Sequence, residues 1–220
     1  MKTKSLKIIG ALLTLVVLTS CAQNEPHKTK MKVLILGNSI VEHGPLPSIG
    51  WYGEWGMAAT SKEKDFVHVL MDTLSKVRKN IEWDYQYYNI AYWERDFNYE
   101  FPQEQLSYKP DLLIIRLGEN VIEEYGKNND YKTALNLMIN KFKTQNSKVL
   151  VTSNFWPNTF KDGVQKSVAL ENKYSFVDLS DLDKDKKNQS LGKFENSSVA
   201  IHPSDFGMRN IAIRILKQIK

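Results

Sequence analysis

Cysteine is nearly absent from this sequence: Cys21 is the only one in 220 residues. A lone thiol closes no internal disulfide, so stability has to come from a packed core rather than from cross-links. Extended apolar runs are scarce as well. The most apolar stretch, Ile8 to Leu18, is too short to span a bilayer comfortably. Internal repeats and low-complexity tracts are missing. So are metal-ligand spacings, a phosphate-cradling glycine loop and a dinucleotide fingerprint, which leaves no sequence ground for a metal or a cofactor. A large excess of one charge sign is missing too. The chain carries 30 Lys and Arg against 25 Asp and Glu, a net +5. Lys2, Lys4 and Lys7 supply three of those charges, which leaves +2 beyond residue 20. A balance so near zero gives no electrostatic reason to expect a nucleic-acid partner.

What is present begins with that leading segment. A basic start, a short apolar middle and small residues before a cut site describe a secretory signal over residues 1–20. Leu18-Thr19-Ser20-Cys21 resembles a bacterial lipobox. The resemblance implies lipid attachment at Cys21 and an exported, membrane-anchored lipoprotein, on the periplasmic side or at the cell surface. The alternative is an ordinary cleaved signal with a bystander cysteine. Residues 21–30 are polar and aperiodic and read as a tether. Residues 31–220 have the size of one domain.

Short apolar runs predict strands over 32–36, 85–91, 111–117, 148–153 and 175–179. "DLLIIRL", Asp111 to Leu117, is apolar enough to suggest burial on both faces. A 3.6-residue period predicts helices over 65–76 and 132–143, and a last one after Ser204, its expected N-cap. Strands alternating with amphipathic helices give an α/β fold: a three-layer α/β/α sandwich around a parallel sheet of about five strands. Right-handed crossovers then gather the strand C-termini on one edge, outside which ligands bind. The connection from Ile40 to Thr60, rich in glycine and proline, is longer than most and reads as functional.

Three residues fall at that edge. Ser39 follows the first strand in "VLILGNSIVEHG", Asn120 follows the third in "RLGEN", and His202 precedes the last helix in "AIHPSDFGM". A serine needs a base within hydrogen-bond reach to become a nucleophile, and histidine is the commonest base near neutral pH. An asparagine amide and the Ser39 N–H can donate to the oxyanion formed when serine attacks an acyl carbonyl.

In this order the blocks resemble those of the SGNH hydrolases, or GDSL esterases. "ILGNSI" resembles their first block, "LLIIRLGENV" the third and "HPSDFGM" the fifth, so the likeness spans Lys32 to the C-terminus. It implies a flavodoxin-like sandwich and serine esterase chemistry: Ser39 as nucleophile, His202 as base, Asn120 as oxyanion donor, no cofactor. Three departures stand out. Asn38 replaces the usual aspartate. "NIAYWERD" lacks the second-block glycine, so the backbone N–H of Glu94 or Trp93 is the expected third donor. Val199 occupies the acid position three residues before the histidine. Glu94, Glu119 and Glu195 are candidate substitutes for that acid, and a backbone carbonyl is another way to hold the imidazole. Asp205 reads as a first-turn residue favoured by the helix dipole.

Trp51, Tyr52 and Trp55 in the long loop, Tyr92 and Trp93 after the second strand and Trp156 after the fourth are expected near the same edge, either as platforms for sugar rings or as a cluster that holds the loop down; Trp51, Trp55, Trp93 and Arg116 are the expected substrate contacts. For Arg116 the favoured expectation is structural, paired with Glu54, Glu94 or Glu119. His43 is expected to anchor its loop. The expected activity is removal of small acyl groups, acetyl among them, from a carbohydrate. The partners are then an ester-bearing small molecule or glycan and the membrane. The rival is an esterase-like scaffold that binds glycans or a partner without turnover.

Overall fold

The computed structural model describes residues 28–219. The expected signal segment, residues 1–20, and Cys21 lie outside them. Five strands form one parallel sheet: β1 (Thr29–Gly37), β2 (Ile81–Asn89), β3 (Leu112–Arg116), β4 (Lys148–Thr152) and β5 (Ser175–Val177). Their order is β2-β1-β3-β4-β5. The chain therefore reverses direction across the sheet between β1 and β3, the place where doubly wound sheets open a crevice.

Strand alternation sorts the core into two faces. Val33, Ile35, Ile114 and Leu150 point to one side, with α1 (Phe66–Val77) and α8 (Asp205–Leu216) over them. Leu34, Leu36, Leu113, Ile115 and Val151 point to the other, beneath α5 (Tyr131–Phe142) and α6 (Thr159–Glu171). Among the described residues, the buried clusters draw on residues 33 to 215. Ser204 caps α8 by accepting from Gly207 N–H, as its position predicts.

Two expectations shift, and one helix was not expected. β1 begins at Thr29, three residues before the expected strand start at Lys32. β2 begins at Ile81, four residues early, because it is an edge strand of half-buried alternating residues rather than an apolar run. Helix α6 carried no expectation at all. It holds Gly163 and buries only Gln165, Val168 and Ala169, so its apolar stripe is too thin to see; Asn158 starts it by accepting from Lys161 N–H. Short helices α2 (Trp93–Asp96), α3 (Gln103–Ser107), α4 (Glu123–Asn128) and α7 (Ser197–Ala200) fill the connections.

The long loop is pinned by its own tryptophans. Trp51 Nε1 donates to the His43 carbonyl at 3.0 Å, and Trp55 Nε1 to that of Ala59 at 2.8 Å. Asp205, in the first turn of α8, accepts from Thr60 N and Oγ1 at 2.8 and 2.7 Å. Among the described residues no helix is long and apolar enough to cross a membrane.

Candidate active site

β1 ends in a turn that only glycine allows. A Cβ on Gly37 would collide with the Val41 side chain and the Arg116 carbonyl, so the chain can fold back at Asn38 and lift Ser39 above the sheet edge. His202 arrives from the far end of the sequence, on the turn between α7 and α8. Ser39 Oγ lies 2.9 Å from His202 Nε2. The other ring nitrogen, Nδ1, is 2.7 Å from the Ser198 carbonyl oxygen. A carbonyl can only accept, so Nδ1 carries the proton and Nε2 faces the serine as a bare acceptor.

This answers what stands in for the missing acid. Val199 is buried against Trp51, Met57 and Ala58. None of Glu94, Glu119 and Glu195 bonds to His202; the backbone of α7 does. Trp156 packs edge-on against the imidazole, centroids 5.0 Å apart. Burial holds the His202 pKa down, to about 4, although the Ser198 carbonyl works in the opposite direction. The ring is therefore neutral at pH 7 and free to accept a proton.

Below Ser39 sits a buried polar cluster. Arg116 and Glu119 form an ion pair at 2.5 Å, with side-chain exposures of 0% and 5%. Glu119 also accepts from Phe155 N–H at 2.9 Å and Asn38 Nδ2 at 2.7 Å. Burial works to raise its pKa, but Arg116 and these donors prevail and hold it below the usual carboxylate range. Glu94 is fully buried on α2 and faces no cation. It accepts from Gly118 N–H, from Asn120 Nδ2 at 2.6 Å and, more weakly, from Asn38 Nδ2 at 3.3 Å. Burial raises its pKa to about 7, and the neighbouring Glu119 charge adds to the rise. Gly118 adopts φ +122°, and a Cβ there would strike Asn154 and Gln165. Only glycine offers its N–H to Glu94 in that conformation.

Asn38 now has a physical reason. Its amide donates to both carboxylates. An aspartate in its place would put a third buried carboxylate beside two others. The departure at position 38 and the acids at 94 and 119 form one arrangement, which no local sequence pattern announces.

The expected oxyanion donors separate. Ser39 N–H has no hydrogen-bond partner among the described residues. Asn120 spends one amide hydrogen on Glu94, which fixes the amide, and keeps the other. Both residues line a cleft of about 250 Å³ together with His43, Ala91, Tyr92 and His202. Glu94 lines the network beneath it instead. Neither Glu94 nor Trp93 lines the cleft, and α2 turns the Glu94 carboxylate inward, where it accepts from Asn120 Nδ2 at 2.6 Å.

The expected substrate contacts are corrected too. Trp51 and Trp93 are 3% and 2% exposed and belong to packing clusters. Trp55 is half-buried, tied to the Ala59 carbonyl. Arg116 is wholly inside, paired with Glu119 as the favoured structural expectation has it. None of the four lines the cleft. The tryptophan rings go to packing because large aromatic faces gain most when buried, and Arg116 is held inside by its Nη1 contact with Glu119. The aromatic at the cleft is Tyr92, 67% exposed, with Arg95 over its ring at 5.3 Å. His43 lines the cleft while its backbone pairs with Trp55, so it is an anchor placed at the rim.

No family model and no curated protein matches the sequence. Solved structures do match. A two-domain esterase active on acetylated mannans superposes at TM-score 0.56 and 15% identity, over 87% of this chain and 50% of that one. A psychrotrophic esterase from Pseudoalteromonas sp. gives 0.56 and 13%, over 86% and 96%. An acetyl xylan esterase gives 0.55 and 16%, over 86% and 100%. The chain thus spans half of the two-domain esterase and the full length of the acetyl xylan esterase. At these identities the likeness establishes the fold: the α/β/α sandwich of these esterases.

Proposed function

We propose that this chain is an SGNH-type serine esterase that removes short acyl groups, acetyl first among them, from a carbohydrate. The observation that carries the reading is the 2.9 Å contact between Ser39 Oγ and a His202 whose tautomer leaves Nε2 bare. Ser39 attacks the ester carbonyl while its proton passes to Nε2. Ser39 N–H and the free Asn120 amide hydrogen hold the oxyanion. Collapse of the tetrahedral intermediate expels the sugar hydroxyl, which takes the proton from Nε2. Water, deprotonated by the same nitrogen, then frees the acyl group from Ser39. The Ser198 carbonyl keeps the imidazole oriented but supplies no full negative charge to the imidazolium. That makes a slower centre than a full triad. The carbohydrate assignment draws support from the neighbours that act on acetylated mannans and xylan. The lipobox reading makes Cys21 the point of attachment to a membrane.

The test is hydrolysis of a short-chain aryl acetate, followed by acetate release from a panel of acetylated polysaccharides. The acid limb of kcat/KM should fall near pH 4, the pKa to which burial brings His202, rather than near the ordinary 6.5. A limb at 6.5 would mean the ring is not buried in the working enzyme. Asn120→Ala should lower kcat about 10²–10³-fold with little change in KM, the usual effect of losing one oxyanion donor. A drop confined to KM would remove Asn120 from that role.

The second reading is a scaffold that binds without turnover, favoured by the buried, apolar Val199 in the acid position. Glycan binding with no acetate release from any member of the panel would select it.

A further inference from the structure

A parallel sheet places every loop that leads into a strand on one edge, opposite the catalytic cleft. Here those loops and the end of α8 carry Arg78, Lys79, Lys109, Lys143, Lys173 and Lys217. None of the six forms an ion pair among the described residues. The carboxylates nearby are few. Asp84 pairs with Lys30 at 3.5 Å, Asp111 accepts from Lys32 N–H, Glu171 at the end of α6 pairs with Lys132 at 2.6 Å, and Glu82 is the fourth. The cleft edge has the opposite balance, with Glu42, Asp96, Glu123, Glu124, Asp178 and Asp181 following β1, β2, β3 and β5. A chain of nearly balanced charge is thus polarised along the strand direction.

Two more features share the basic edge. A groove of about 530 Å³ opens there, with Met31, Ile81 and Trp83 among its apolar lining and Arg78, Lys143 and Lys173 beside them. Trp83 Nε1 is buried with no hydrogen-bond partner. The chain also enters the domain at this edge, through Thr29 at the start of β1. Only six residues lie between Cys21 and Lys28, so a lipid on Cys21 would hold this edge within about 25 Å of the bilayer at full extension.

We propose that this basic edge docks on an anionic phospholipid surface, with the cleft facing away from the membrane. Cations near such a surface each add about fivefold to binding, within a screening length of roughly 10 Å. An apolar floor inside a cationic rim suits an amphiphile better than a soluble polyanion, and the tether delivers this edge to the membrane first. The orientation rests on the lipid-anchor reading; the surface does not.

The test therefore uses residues 28–220, which carry every buried cluster of the described residues and leave out Cys21. Sedimentation with vesicles of 30% phosphatidylglycerol in phosphatidylcholine should show binding at low salt, lost in 0.5 M salt and absent with pure phosphatidylcholine. Lys79→Ala, Lys109→Ala and Lys173→Ala combined should weaken it about a hundredfold. Lys127→Ala, Lys184→Ala and Lys193→Ala combined, at the cleft edge, should leave it unchanged. Equal losses in both triple variants, or no vesicle binding at low salt, would overturn the proposal. So would retention on heparin without vesicle binding. Anchoring is read separately, by whether Cys21→Ser releases the full chain from membranes, so the two readings fail independently.

Discussion

Ser39→Ala is expected to lower kcat/KM on an acetate ester by about 10⁴-fold or more, the scale on which losing a nucleophile acts in enzymes of this kind. The cleft holds no second hydroxyl placed against His202 Nε2, so nothing replaces it. The protein itself should fold normally. Ser39 Oγ donates to no buried acceptor other than His202 Nε2, and that nitrogen borders the cleft, where water can take the vacated place. His202→Ala should cost a similar factor, and the double variant little more, because the two residues perform one step. Melting temperature and kcat/KM measured on the same preparations decide the matter. Undiminished hydrolysis by a folded Ser39→Ala protein would end the assigned mechanism.

Arg116→Met should cost about 3–5 kcal/mol of unfolding free energy, the largest stability effect expected from one side chain near the site. Arg116 is fully buried, and its Nε and Nη2 find no partner, so it is already held at a cost. What it supplies is the one positive charge beneath Ser39. Without it, Glu119 becomes a buried anion beside Glu94, and its pKa rises above its unfolded value. A raised folded pKa takes up a proton on folding, so the variant should be least unstable below about pH 4.5 and lose stability as pH climbs through the new pKa. Combining Arg116→Met with Glu119→Gln removes the stranded charge and should recover much of the loss. Urea melts at pH 4.5 and 7.5 read all three outcomes. A cost under 1 kcal/mol at pH 7.5 would show that the ion pair does not hold the cluster.

Much of this molecule is visible in its residues before any folding. The run from Asp111 to Leu117 declares a strand buried on both faces. The period from Met208 to Ile215 declares α8, and Ser204 declares its start. Ser39, Asn120 and His202 fall at strand ends and before a helix, so parallel topology alone directs them to one edge. Local chemistry writes these features, and local reading recovers them. The thin stripe of α6 and the polar alternation of β2 escape because each buries too little to leave a periodic mark.

Burial partners are a different matter. Glu94 and Asn120 stand 26 residues apart, Asn38 and Glu119 81 apart, and Ser39 and His202 163 apart. The sequence by itself determined the parallel sheet, helices α1, α5 and α8 over it and the three side chains at its rim, since apolar spacing and turn chemistry act between neighbours. Only the tertiary structure decided that a Ser198 carbonyl orients the imidazole, that Arg116 and three tryptophans serve packing, and that Glu94 holds Asn120. Those outcomes depend on which polar atoms end up sharing a space closed to water, and that is set by how distant segments pack.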